Sequence, residues 1–128
     1  MRRCLWLFLL VATAACGGGE DAAGCPDEGC SVEETLDVAY VRDSPEYGVQ
    51  PVFDVYAPAE EGPWPVVVIA PDWEQGKEYA RGWATEMVAE GTVVFAVDFD
   101  VGSPSTPLEH LNCATRYARD VADEYGGD

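Results

Sequence analysis

Five apolar residues, Val66-Val67-Val68-Ile69-Ala70, stand between Pro65 and Pro71 with no polar alternation, and four of the five are β-branched. A strand with one wet face alternates polar and apolar side chains. An unbroken β-branched run this short predicts a strand covered on both faces, as in the parallel sheets of α/β proteins. Thr92-Val93-Val94-Phe95-Ala96-Val97 is a second such run and ends at Asp98. The residues between them have helical periodicity, so the pair reads as one strand–helix–strand unit. Such units place binding loops at the carboxyl ends of their strands, where Asp72 and Asp98 stand.

The 128 residues allow one domain at most. Met1-Arg2-Arg3 is basic, Leu5 to Ala15 is apolar apart from Thr13, and Ala14-Ala15 are small. This is the layout of a secretory signal, and its apolar run is too short to span a bilayer as a free helix. Cys16 directly after Thr13-Ala14-Ala15 resembles a bacterial lipobox, in which the cysteine is acylated and becomes the mature N-terminus; Thr13 stands where leucine is usual. Residues 1–15 are thus expected to be removed and Cys16 lipidated. The other reading is a plain secretory signal. Gly17-Gly18-Gly19-Glu20-Asp21 suits a flexible tether and favours the lipoprotein.

Loss of Arg2 and Arg3 with the signal moves the net charge from −17 to about −19. Phosphate binding rests largely on lysine and arginine, so nucleic acid is an unsuitable partner. Attachment to an anionic membrane would rest on the N-terminal lipid rather than on charge. The acidity itself reads as a solvated surface.

Cys4 leaves with the signal. Cys25-Pro26-Asp27-Glu28-Gly29-Cys30 is a short acidic turn between two cysteines, which in an exported chain predicts a local disulfide. Two thiols and the distant His110 do not make a zinc set, and no metal or cofactor is expected. Cys113 is read either as a small buried apolar residue or as a thiol in want of a partner.

Residues 16–34 read as tether plus stapled loop. From Thr35, Leu36, Val38 and Tyr40 alternate with Asp37 and Ala39, and Val52-Asp54-Tyr56 alternate with Phe53-Val55-Ala57. Ser44-Pro45-Glu46-Tyr47-Gly48 is a turn between them, so the two segments predict an antiparallel hairpin at a sheet edge with one wet face. Gly76 to Glu90 predicts an amphipathic helix with Tyr79, Ala80, Trp83, Ala84, Met87 and Val88 as core face, closed by Gly91. Thr106-Pro107-Leu108-Glu109 is a capping box with proline at the first helical position. The helix it opens has a stripe of Leu108, Leu111, Ala114, Ala118, Val121, Ala122 and Tyr125, ended by Gly126-Gly127. His110 falls just off that stripe and reads as a surface residue, with no nucleophile or acid suggested beside it.

Four blocks in order carry a family resemblance: Phe53-Asp54-Val55-Tyr56-Ala57-Pro58, Trp64-Pro65-Val66-Val67-Val68-Ile69, Val93-Val94-Phe95-Ala96-Val97-Asp98, and Cys113-Ala114-Thr115-Arg116-Tyr117-Ala118 through Glu124-Tyr125-Gly126-Gly127-Asp128. Residues 35–128 resemble the N-terminal half of α/β-hydrolase esterases, the carboxylesterase and lipase-like set with a His-Gly-Gly-Gly-Trp loop. The resemblance implies an α/β fold in which an antiparallel edge hairpin precedes parallel β-α-β-α with helices flanking the sheet. It also implies carboxylic ester hydrolysis by acyl transfer.

The departures fall at the chemistry. In that family the first apolar strand runs into the glycine loop, whose N–H groups help bind the oxyanion. Here it runs into Ala70-Pro71-Asp72-Trp73. Pro71 has no N–H to give, and Asp72 brings a negative charge towards a developing one, so Pro71, Asp72 and Trp73 are the degenerate oxyanion-loop positions. Dienelactone-hydrolase-like relatives lack the glycine loop and offer another subgroup. The sequence has no Gly-x-Ser-x-Gly, and Gly102-Ser103-Pro104-Ser105 is not one. No catalytic residue is therefore assigned. The chain is expected to be an esterase-related lipoprotein stopping before the nucleophile elbow, able to act on a small ester only if completed by a C-terminal half. The alternative is a non-catalytic exported lipoprotein. A half-sheet would leave one edge open to self-association.

Overall fold

The computed structural model describes residues 24–40, 51–72, 75–98 and 106–128. The signal residues with Cys16, the turn at 44–48, Trp73 and the 102–105 segment lie outside them. Strands β1 (Val32–Ala39), β2 (Val52–Pro58), β3 (Val66–Ile69) and β4 (Val93–Val97) form one sheet in the order β1-β2-β4-β3. Helix α1 (Arg81–Ala89) follows a 3-10 turn at Lys77–Ala80, and α2 (Thr106–Val121) runs into another at Ala122–Tyr125. The β1–β2 and β2–β4 pairs are antiparallel and β3–β4 is parallel. The predicted hairpin and strand–helix–strand unit are therefore both present.

Their positions in the sheet differ from expectation. β4 is central, and all five of its side chains are 0 % exposed. β3, whose composition predicted cover on both faces, is the outer strand of the described sheet, and its four residues are only half-buried. β2 is no edge strand with a wet face, because it lies between β1 and β4 and buries both faces. Its alternation separates two cores. Phe53, Val55 and Ala57 pack with Phe95, Ala114 and Ala118 on the α2 side. Tyr56 packs with Ala80, Ala84 and Val88 on the α1 side. The Phe53 ring stacks on Tyr40 and meets Phe95 edge-on, with centroids 5.6 and 5.1 Å apart. Arrangements of that kind add to the apolar burial.

β1 begins at Val32, inside the segment read as tether, because an exposed edge strand is held by its backbone ladder and needs few apolar side chains. Between Thr35 and Val38 the ladder shifts by one residue. This bulge places both Leu36 and Asp37 opposite Asp54, leaves Leu36 55 % exposed and holds Asp37 at φ 57°. The simple alternation predicted through Leu36 is broken there.

Each helix faces the sheet one notch away from its predicted stripe. α1 and its leading turn bury Lys77, Ala80, Ala84 and Val88, while Tyr79 and Trp83 are 60 % and 61 % exposed. The small residues let the helix approach the strands, and the two large rings are displaced to the side. On α2 the buried line is His110, Ala114, Ala118 and Ala122, at intervals of four, while Leu108 is 68 % exposed. His110 is thus a core residue and not a surface one. Cys113 is exposed, against the buried reading. Gly91 ends α1 at φ 81°, and a Cβ there would lie 2.7 Å from the Trp64 ring, so glycine is required.

A buried ion pair links the layers. Lys77 Nζ donates to Asp54 Oδ1 at 2.7 Å and to Asp37 Oδ1 at 2.9 Å, and the Asp37 N–H also donates to Asp54 Oδ1 at 2.9 Å. Lys77 and Asp54 are 5 % and 2 % exposed. Burial opposes the charge on Lys77, yet the hydrogen bonds to Asp54 and Asp37 outweigh it and hold the ammonium well above its ordinary range. A raised lysine contributes stability fully at neutral pH and loses it only as the pH climbs through the raised value. Lys77→Met should destabilise the fold by about 3 kcal/mol, because it strands a buried carboxylate. Asp37→Asn should cost less than about 1 kcal/mol, since Asp37 is exposed and asparagine tolerates its backbone conformation. Urea unfolding of the two variants measures both, and equal losses would contradict this assignment.

Candidate functional site: the loop at the end of β3

β3 and β4 run parallel, so their carboxyl ends lie on one side of the sheet and lead into Ala70-Pro71-Asp72 and Asp98. Ala70 and Asp72 are exposed and Pro71 is half-buried. The Gln75 N–H donates to the Asp72 carbonyl at 2.9 Å, and the Tyr79 N–H to the Gly76 carbonyl at 3.0 Å. The 3-10 turn that begins at Lys77 is fixed to β2 by the buried ion pair. Trp73, the third position of this loop assigned from sequence, lies outside the described residues. Asp98 is joined through its backbone: its N–H donates to Val52 O at 2.9 Å, and its carbonyl accepts the Tyr40 hydroxyl at 2.8 Å. Burial, with Asp98 and Cys113 nearby, pushes the Tyr40 phenol well above its ordinary range, so it remains a donor.

Beside the loop is a groove of about 530 Å³ lined by Ile69, Pro71, Asp72, Tyr79, Trp83 and Met87 among others. Among the described residues its lining is mainly apolar, with Asp72, Gln75 and the Tyr79 hydroxyl as polar groups. Its walls come from the end of β3 and from the side of α1 that carries the displaced rings. Such a concavity can hold an apolar group. For acyl transfer it would need N–H donors aimed at an oxyanion. Pro71 has none, and the Gln75 N–H is already committed to Asp72.

The remaining sequence candidates are spread over the molecule. Cys25 and Cys30 are bridged. Their loop packs on Trp64 and the end of α1, where the Cys30 N–H donates to Ala89 O at 3.1 Å. His110 is buried on α2. Among the described residues no group of three or more His, Cys, Asp or Glu side chains could hold a metal ion. Sequence reasoning passed over the Lys77–Asp54–Asp37 network. The available signal was a lone lysine three residues ahead of Ala80, in line with the alanines of α1.

No protein-family model matches the chain, and no curated protein matches it. Solved structures do. Esterase B from Lactobacillus rhamnosis, in an inhibited form, superposes with a TM-score of 0.64 at 15 % identity, covering 81 % of this chain and 34 % of that one. The same esterase in another crystal structure gives 0.63 over 84 % and 35 %. A thermophilic esterase from Thermogutta terrifontis gives 0.56 at 22 % identity, over 81 % and 39 %. The chain thus spans a little over a third of the length of the esterases it matches. At these identities the likeness is one of fold: the mixed four-stranded sheet with two flanking helices is similar to part of the fold of those esterases.

Proposed function

We propose that this chain is an exported lipoprotein whose body is the part of a carboxylic ester hydrolase that precedes the catalytic serine. The strand order β1-β2-β4-β3, with its antiparallel edge and parallel β3–β4 pair, is the observation that carries the reading. The likeness to bacterial esterases over four-fifths of the chain supports it. In this reading β3 and the Pro71–Asp72 loop stand where the oxyanion is bound, and the apolar groove beside them takes the acyl side of a small ester. The nucleophile belongs to the C-terminal half of such a hydrolase. Attachment to the cell envelope is through lipid on Cys16, in accord with the basic, apolar and small-residue order of residues 1–15.

A second reading, a non-catalytic exported lipoprotein, is favoured by one specific observation. Proline and a carboxylate occupy the loop where donors are needed, and both oppose stabilisation of an oxyanion. Reading the gene beyond the Asp128 codon separates the two, since a Gly-x-Ser-x-Gly within about thirty codons supports the hydrolase.

Two outcomes are expected of the chain itself. It should not hydrolyse p-nitrophenyl butyrate above the buffer rate, because it has neither a nucleophile elbow nor an exposed histidine. Turnover abolished by Ser103→Ala or Ser105→Ala would overturn this. Mass spectrometry of the membrane fraction should find Cys16 as a diacylglyceryl N-terminus, and a soluble product cleaved elsewhere would contradict it.

A further inference from the structure

The bridged loop stands at the amino ends of β3 and β4, away from the Pro71–Asp72 loop, and few groups hold it to the body. Among the described residues, the backbone hydrogen bond made by residues 24–29 closes their own turn, from the Gly29 N–H to Pro26 O at 2.8 Å. Cys30 is anchored separately. It is buried in the core on the α2 side, and its N–H donates to Ala89 O. Cys25 reaches that anchor through the sulfur bridge. So held, its Sγ lies beside Gly91 and the Trp64 ring: a Cβ at Gly91 would meet Cys25 Sγ at 3.4 Å and Trp64 ring carbons at 2.7 and 2.9 Å. Trp64 is 6 % exposed, and other segments meet on it. Its indole N–H donates to Glu60 O at 3.1 Å, its backbone N–H donates to Gly126 O at 2.9 Å, and its carbonyl accepts from the Asp128 N–H at 2.9 Å.

We propose that the Cys25–Cys30 bridge is a redox latch over Trp64, opened by a dithiol reductant. The packing around Trp64 carries this inference, which does not depend on the hydrolase reading. Cys25, and not Cys30, lines a concavity of about 450 Å³ formed by residues 24–29 with Trp64, Ala89 and Glu90, so Cys25 Sγ is the sulfur a reductant reaches. A thiolate of the dithiol attacks Cys25 Sγ, the S–S bond breaks, and Cys30 leaves as a thiolate that takes up a proton. The second thiol of the reductant, once deprotonated, displaces Cys25 from the mixed disulfide and closes a disulfide within the reductant. Two electrons have then passed to the bridge, Cys25 and Cys30 end as thiols, and the dithiol is oxidised. Asp27, Glu28 and Glu90 line the same concavity, so a neutral reductant meets less repulsion there than an anionic one. With the bridge open, the turn at 24–29 keeps its internal bond and loses its tie to Cys30. It moves off Trp64, the ring meets water, and the bonds of Trp64 to Gly126 and Asp128 loosen with it. β4 keeps its protection, because β2 and β3 hold it on either side. The opening is therefore local.

Hydrogen exchange followed by NMR tests this on the chain carrying Cys4→Ser, Cys16→Ser and Cys113→Ser, in which Cys25 and Cys30 are the remaining cysteines. Dithiothreitol, a neutral dithiol, should reduce the bridge while the chain stays folded. The Cys30, Trp64 and Asp128 amides and the Trp64 indole N–H should then exchange at least about tenfold faster, while the amides from Val94 to Ala96 change by less than about twofold. Reoxidation should restore the slow rates. Adding Cys25→Ser and Cys30→Ser should give the fast rates with no reductant present. A reduced chain whose Trp64 indole exchanges as slowly as before overturns the inference, because packing alone would then hold the turn. So does loss of protection from Val94 to Ala96 in step with Trp64, a failure of the variant without Cys25 and Cys30 to fold, or a bridge that dithiothreitol reaches only as the whole chain unfolds. Each of those would make the bridge a general staple of the fold.

Discussion

Complete burial of β4 is the constraint on which the rest of the architecture depends. Five consecutive side chains with no exposure require a strand on each side and a helix on each face. β2 and β3 supply the strands, and α1 and α2 supply the faces. Each neighbour then inherits a requirement of its own. β2, sharing both faces with β4, must carry buried residues on both parities, including the polar Asp54. Asp54 is accommodated only because Lys77 and the Asp37 N–H reach it. The bulge in β1 exists at the point where it delivers Asp37 to that pair. A buried charge pair of this kind favours one arrangement of layers more than it adds net stability. Here it fixes the register of β1, the position of β2 and the start of α1 together.

Much of this was legible in the sequence, and the parts that were not share a cause. The β-branched runs at Val66 and Val93, the hairpin alternation, the glycine stop at Gly91 and the cysteine pair are local signals, and they read correctly as elements. Placement within the sheet is not local. Val66–Ile69 looks more buried than it is because composition records the burial suited to a strand, not the neighbours a strand has. The alternation of β2 suggests a wet edge because aspartate and tyrosine usually face solvent, whereas here one is paired with a lysine and the other packs on α1. Both predicted helical stripes combine large apolar residues with small ones. The sheet takes mainly the small members, Ala80 of the leading turn with Ala84 of α1, and Ala114 and Ala118 of α2, because close approach of helix to strand favours small contacts. That choice displaces Tyr79 and Trp83 to the surface and brings His110 inside.

The displaced rings give the site its character. Had α1 faced the sheet through Tyr79 and Trp83, there would be no groove beside the Pro71–Asp72 loop. As built, the carboxyl end of β3 opens onto a largely apolar concavity beside the Pro71–Asp72 loop. In the reading proposed above, esterase-like architecture and oxyanion-loop chemistry are separable in this chain. The first rests on apolar patterning spread over four strands and two helices. The second rests on two or three residues, and those are the ones that differ.

The architecture turns on β4 lying between β2 and β3 in the described sheet. Amide hydrogen exchange followed by NMR, at a concentration where the chain is a monomer, tests it most directly. Every amide from Val94 to Ala96 should be strongly protected. Along β3, Val67 and Ile69 should be slow through their bonds to β4. Faster exchange in β4 than at Val67 and Ile69 would contradict the strand order.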